Sequence, residues 1–170
     1  YFKLTNDIDF EGYLWEPVGN NVAEFKEHFD GNGHVIKNFK IITYSMNVIE
    51  AYKTADATSK SSLCIDPIFR QYGFFGKTGK NSVVKNLGIE NATINFWNHD
   101  YYYNIKLNES DVLTSYKTIR SQYNGVMVGF AKGKFINCYV KNSELKNMTR
   151  AIHDFHFGAF CGRLSFYDGN

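Results

Sequence analysis

No stretch of this 170-residue chain approaches the ~20 consecutive apolar residues that a membrane-crossing helix needs. A dominant charge is missing too. The chain carries 19 Lys and Arg against 17 Asp and Glu, a net charge of +2, with no basic stripe. That argues against nucleic acid or an anionic membrane surface as the main partner. Cysteine is scarce. Cys64, Cys138 and Cys161 form an odd set at unrelated spacings, which builds neither a disulfide framework nor a zinc signature. Catalytic signatures are also lacking: there is no His-Glu-x-x-His, no Gly-x-Ser-x-Gly elbow and no phosphate-binding loop. Tyr1-Phe2-Lys3-Leu4 reads as strand and not as a secretory leader.

What the chain has is repetition. Val84-Lys85-Asn86-Leu87-Gly88-Ile89-Glu90-Asn91-Ala92-Thr93-Ile94 returns as Phe135-Ile136-Asn137-Cys138-Tyr139-Val140-Lys141-Asn142-Ser143-Glu144-Leu145. A shorter copy, Ile36-Lys37-Asn38-Phe39-Lys40-Ile41, lies upstream. Aligned this way, Phe39, Leu87 and Cys138 form one row and Ile41, Ile89 and Val140 another. Between them stand Lys40, Gly88 and Tyr139, which share no chemistry. Apolar, anything, apolar is the period of a strand with one face in a core. The polar pairs Glu90-Asn91 and Lys141-Asn142 then mark a bend. Asparagine tolerates the left-handed backbone of a sharp bend, and stacked asparagines can form amide ladders. A glycine-closed element also recurs, as Gly73-Phe74-Phe75-Gly76, Val126-Met127-Val128-Gly129 and Ala159-Phe160-Cys161-Gly162.

These elements resemble the GLUG-repeat modules of bacterial surface and adhesin-like proteins, named for a Gly-Leu-apolar-Gly signature. The first glycine of that signature is kept only at Gly73, with Gly125 and Gly158 matching the extra glycine before it. Leu4-Thr5-Asn6-Asp7-Ile8-Asp9-Phe10, Trp15-Glu16-Pro17-Val18-Gly19 and Phe29-Asp30-Gly31-Asn32-Gly33-His34 resemble the segment that opens such modules. That opening also occurs in the non-catalytic region of IgA-specific metallopeptidases. The resemblance implies an all-β fold, a right-handed parallel β-helix, and a secreted or cell-surface setting. It is a poor guide to activity, because fold does not settle function. The catalytic part of those metallopeptidases, with its zinc signature, is not in this chain.

In chain order, residues 1–42 open the fold. Trp15 beside Pro17 suits a plug for the open end of a stacked core. Asp30-Gly31-Asn32-Gly33 is a tight turn and not a calcium loop, since Val35 and Ile41 stand where that loop needs glycine and glutamate. Residues 43–72 and 97–123 fall outside the repeat and are expected as two inserted loops within a single domain covering 1–170. Each enters shortly after an aligned strand and before a glycine signature, so the two are expected on one side, touching. Long loops of this kind are usually functional or disordered. The last turn, Asp168-Gly169-Asn170, follows closely on the third glycine signature. The expectation is a portion of a longer protein, with flanking repeats or domains of the same parent chain as partners and its C-terminal coil edge in need of cover.

The candidate site is the aromatic run of the second insertion. Trp97, Tyr101, Tyr102 and Tyr103, with Asn98 and Asp100, suit sugar recognition. Ring faces stack on a pyranose, while amides and carboxylates take its hydroxyls. The structural alternative is that these aromatics pack onto the flank of the coil or extend its sheet. The expected partner is a host glycan or host protein. No cofactor is expected. A zinc site of His153, His156 and His99 has only a weak spacing to support it. A glycan-active enzyme, a β-helix lyase or hydrolase, is the alternative function. Its acidic candidates, Asp7, Asp9, Glu11, Glu16, Asp30 and Asp66, form no recurring surface row. The expected function is therefore a non-catalytic structural and binding module.

Overall fold

The structure is a computed structural model and describes residues 1–42, 71–96, 101–107, 113–119, 122–147 and 155–165; for 101–107 and 113–119 it describes the backbone. It is all-β. The strands are β1 (Phe2–Lys3), β2 (Ile8–Asp9), β3 (His28–Asp30), β4 (Val35–Lys37), β5 (Lys40–Ile42), β6 (Gln71–Tyr72), β7 (Phe75–Lys77), β8 (Val83–Lys85), β9 (Gly88–Glu90) and β10 (Thr93–Phe96). They continue as β11 (Tyr101–Leu107), β12 (Leu113–Ile119), β13 (Gln122–Gly125), β14 (Val128–Ala131), β15 (Lys134–Ile136), β16 (Tyr139–Lys141), β17 (Glu144–Asn147), β18 (Phe155–Gly158) and β19 (Cys161–Leu164).

Five parallel sheets stack these strands in register: β1-β3-β8-β15, β2-β4-β9-β16, β5-β10-β17, β6-β13-β18 and β7-β14-β19. The chain is a parallel β-solenoid. Residues 71–96 visit the five sheets in one order, and residues 122–147 visit them in the same order. Each is one coil. The opening coil joins the stack through β1, β2 and the bridges of Leu14 with Lys40, Val18 with Phe75 and Phe25 with Thr78.

Inward residues form apolar rows along the stack. Ile8, Ile36, Ile89 and Val140 are one row, Phe29, Val84 and Phe135 a second, Ile41, Ile94 and Leu145 a third. The members Val84, Ile89 and Ile94 are fully buried, as is Leu87 just before β9. Phenylalanines fill the centre, with Phe74 and Phe75 edge to face at 5.1 Å and Phe29 edge to face with Phe75 at 5.6 Å. Trp15 closes the N-terminal end. Its ring lies flat on Phe74 at 4.7 Å, and its Nε1 donates to the Phe74 carbonyl at 3.0 Å.

The bends follow from asparagine. Asn38, Asn86, Asn91, Asn137 and Asn142 all have left-handed φ, between 49° and 62°. Side chains other than asparagine or aspartate would be strained there, and glycine would not. Asn137 Nδ2 donates to Asn86 Oδ1 at 3.0 Å, and Asn86 Nδ2 donates to Asp30 Oδ1 at 3.2 Å, so an amide ladder does climb one corner of the stack. The glycines of the recurring signature stand where sheets meet backbone to backbone. A Cβ on Gly129 would lie 2.7 Å from Gln71 and Tyr72, and one on Gly162 would lie 2.4 Å from the Asn124 nitrogen.

One expected alignment is displaced by a strand. Ile41 pairs with Ile94 rather than Ile89, and Ile36 takes the place beside Ile89. Phe39 accordingly precedes the β5 row and does not join Leu87 and Cys138, which do stack through β9 and β16. The cause is that each coil has two bends with the same local pattern, a polar residue, asparagine, then alternating apolar residues. Asn38 matches the second bend, with Asn91, and not the first. At the first bend the opening coil carries the longer turn Gly31 to His34, with left-handed Asn32 and Gly33, which disguises the match.

Candidate functional site

The insertions meet the solenoid at one corner. Residues 43–70 connect β5 to β6, residues 97–121 connect β10 to β13, and residues 148–154 connect β17 to β18. In every case the chain leaves the β5-β10-β17 sheet and returns in the β6-β13-β18 sheet. The last two residues of each expected loop, Gln71–Tyr72 and Gln122–Tyr123, are strand residues of the stack. The second insertion carries an antiparallel hairpin of β11 and β12, which sequence reading took for loop. Its register sets Tyr101 opposite Ile119, Tyr102 opposite Thr118 and Tyr103 opposite Lys117. Trp97, Asn98 and Asp100 lie outside the described residues, as do His99, His153, Asp66 and Cys64.

The strands that receive the insertions carry a cluster that sequence reading missed. Tyr123 on β13 packs against Phe130 on β14 at 5.3 Å and His156 on β18 at 5.0 Å. Arg163 on β19 lies over both rings, 5.0 Å from Tyr123 and 5.2 Å from Phe130, and its Nη1 donates to the Tyr123 hydroxyl. Lys77 and Lys132 approach Phe130 at 5.5 and 5.8 Å, and both reach Glu24, at 3.0 and 2.5 Å. Burial raises the Glu24 carboxyl, but hydrogen bonds from Lys132 and Lys77 outweigh it and hold the group below its ordinary value. Only the register shows this cluster, because Lys77, Phe130 and Arg163 are aligned rungs far apart in sequence.

Beside it lie buried amides. Both side-chain polar atoms of Gln122 and Asn124, and Oε1 of Gln71, are buried without a hydrogen-bond partner among the described residues. Gln71 Nε2 donates to Asn21 Oδ1 at 3.1 Å. Orphaned buried amides are uncommon and cost about 1–3 kcal/mol each, so this corner holds unspent capacity for hydrogen bonds.

Three of the acidic residues weighed for catalysis, Asp7, Asp9 and Asp30, hold the opening coil together. Asp7 accepts from the Val35 N–H at 3.0 Å and faces His34 Nδ1 at 3.1 Å; Asp9 accepts from Asn38 Nδ2 at 2.7 Å and the Glu11 N–H at 2.9 Å. These bonds lower both carboxyls. Asp30 accepts from the Asn32 N–H at 2.8 Å, from Asn86 and from the Tyr1 hydroxyl at 3.0 Å, with Lys85 at 3.2 Å. Among the described residues no three His, Cys, Asp or Glu side chains are grouped to hold a metal ion.

Over 95 residues the chain is 32% identical to a protein of Evansella cellulosilytica named "Putative Gly-rich membrane protein"; the match covers 52% of this chain and 8% of that protein. This chain thus spans a small fraction of the curated relative it matches. No family model matches the chain, and no solved structure matches it.

Proposed function

We propose that the chain is a non-catalytic structural and binding module of a bacterial cell-surface or secreted protein, of the GLUG-repeat kind, which contacts a host glycan or protein through its insertions. The observation that carries this reading is that both insertions leave the solenoid at the same corner, where the short 148–154 connection leaves as well. Repeat folds keep stacked strands for structure and place insertions on the binding face. The similarity to a protein named as a membrane protein supports the surface setting. The aromatic run Trp97, Tyr101, Tyr102 and Tyr103, with Asn98 and Asp100, supplies stacking rings and hydroxyl partners. The strand that follows that insertion carries the buried amides of Gln122 and Asn124.

The test is a glycan array read alongside melting. Trp97→Ala and Tyr102→Ala should each weaken binding by about 2 kcal/mol or more, as aromatic anchors do, with melting unchanged. A large fall in melting temperature with binding intact would make these aromatics scaffold. Reproducible cleavage of a polysaccharide, lost on changing a carboxylate, would favour the glycan-active enzyme instead.

A further inference from the structure

The two ends of the stack differ. At the N-terminal end Trp15, Phe10 and Leu4 pack over the core. At the C-terminal end the inward rows stop half covered. Val84, Ile89, Ile94 and Val128 are fully buried, whereas the next members of the same rows, Phe135, Val140, Leu145 and Cys161, are only partly buried. Ile136 and Leu164 on the same strands are about half exposed, at 51% and 50%.

The amide ladder has a direction that matches. Each asparagine donates to the coil before it, and Asn86 also accepts from the coil after it. Asp30 can start the ladder because an ionised carboxylate only accepts. Asn137 is its last rung, and among the described residues no donor meets its Oδ1. The coil-to-coil interface thus continues unfinished through both its apolar rows and its polar ladder.

We propose that this end, formed by β15 to β19, is an interaction surface for one further parallel coil, carrying an N–H or O–H donor above Asn137 and apolar side chains above Phe135, Val140, Leu145 and Cys161. A second copy stacked head to tail does not fit, since its leading end is already closed by Trp15. The inference concerns the scaffold and stands whether or not the insertions bind a ligand.

Ser165 stands where Lys132 stands one coil earlier, and residues 133–165 contain, in order, one strand for each of the five sheets, from β15 through β19. A copy inserted directly after Ser165 therefore supplies the proposed coil in register. The full chain with and without this copy is compared by melting and by site-resolved alkylation of the thiols. The added coil should raise the melting temperature by about 5 °C or more and slow alkylation of Cys138 and Cys161 roughly tenfold or more. Replacing the copied Asn137 by leucine should remove part of the gain. Val140→Lys, which sets a charge beneath the new coil, should remove most of it; Leu145→Lys serves where Val140→Lys does not fold. An added coil that neither raises melting nor protects the thiols overturns the proposal. So does a gain that survives both lysine variants, or an unextended chain that dimerises with protection of the same two cysteines.

Discussion

Tyr139 lies across Gly88 of the coil beneath it. A Cβ at Gly88 would meet the Tyr139 ring at 2.5 Å, and the Tyr139 hydroxyl donates to Glu90 Oε1 at 2.9 Å. The two residues share no chemistry because they are complementary, a ring that covers a glycine on the neighbouring strand. Gly88→Ala should therefore cost about 1–2 kcal/mol by displacing the ring. In a Tyr139→Ala background the same change should cost much less, giving a coupling of about 1 kcal/mol in a double-mutant cycle by urea unfolding. Additive costs would show that the ring does not depend on the glycine.

The bends separate two uses of asparagine. Asn86 is left-handed and makes two ladder bonds, whereas for Asn91, equally left-handed, no side-chain hydrogen bond is found among the described residues. Asn86→Gly keeps the backbone and loses the bonds, so it should cost about 1–2 kcal/mol. Asn86→Ala should cost roughly 1 kcal/mol more through left-handed strain. Asn91→Gly should stay within about 0.5 kcal/mol of the parent. Equal losses at the two bends would mean that the ladder contributes nothing.

These contrasts also show how far the sequence could be read. The strand period, the bends and the plug at Trp15 follow from local pattern, and each is met in the fold; the expected contact between the two insertions lies outside the described residues. What failed was register. Two bends with one chemistry lie five residues apart, so Asn38 fits either, and only the hydrogen-bonded ladder decides for Asn91. The cluster of Tyr123, Phe130 and Arg163 was invisible for a related reason. Its members are ordinary residues in separate rungs, made neighbours only by stacking.

Acid should loosen the opening coil. The Asp30 carboxyl is held well below the usual carboxylate range, led by the Asn32 N–H and joined by Asn86, Tyr1 and Lys85. Folding thus favours its ionised form. That stabilisation is complete above the unfolded-state pKa of about 3.9 and drains away as pH falls below it. The urea midpoint should begin to drop near about pH 4 and keep falling to about pH 2.5, and by less in Asp30→Asn. Asp7 and Asp9, lowered in the same direction, leave the variant some acid sensitivity. An identical pH profile for parent and variant would remove Asp30 from the account.

Trp15 is the sharpest test of how the core is closed. Its ring is parallel to Phe74, with 2° between the planes, and edge-on to Phe10 at 5.1 Å, and its backbone N–H donates to the Lys40 carbonyl at 2.7 Å. It therefore joins the opening residues to the first full coil through packing on Phe74 and the Nε1 bond to its carbonyl, while the bond to Lys40 stays within residues 1–42. Trp15→Ala should destabilise by about 3 kcal/mol, at the low end for a large aromatic because the ring is only partly buried. Trp15→Phe keeps most of the packing and loses the Nε1 bond, so it should cost about 1 kcal/mol. Hydrogen exchange should locate the damage in β1 to β5, with the amides of β13 and β14 protected as before. A Trp15→Ala chain within about 1 kcal/mol of the parent, or one that loosens the far end equally, would show that this ring is not what closes the stack.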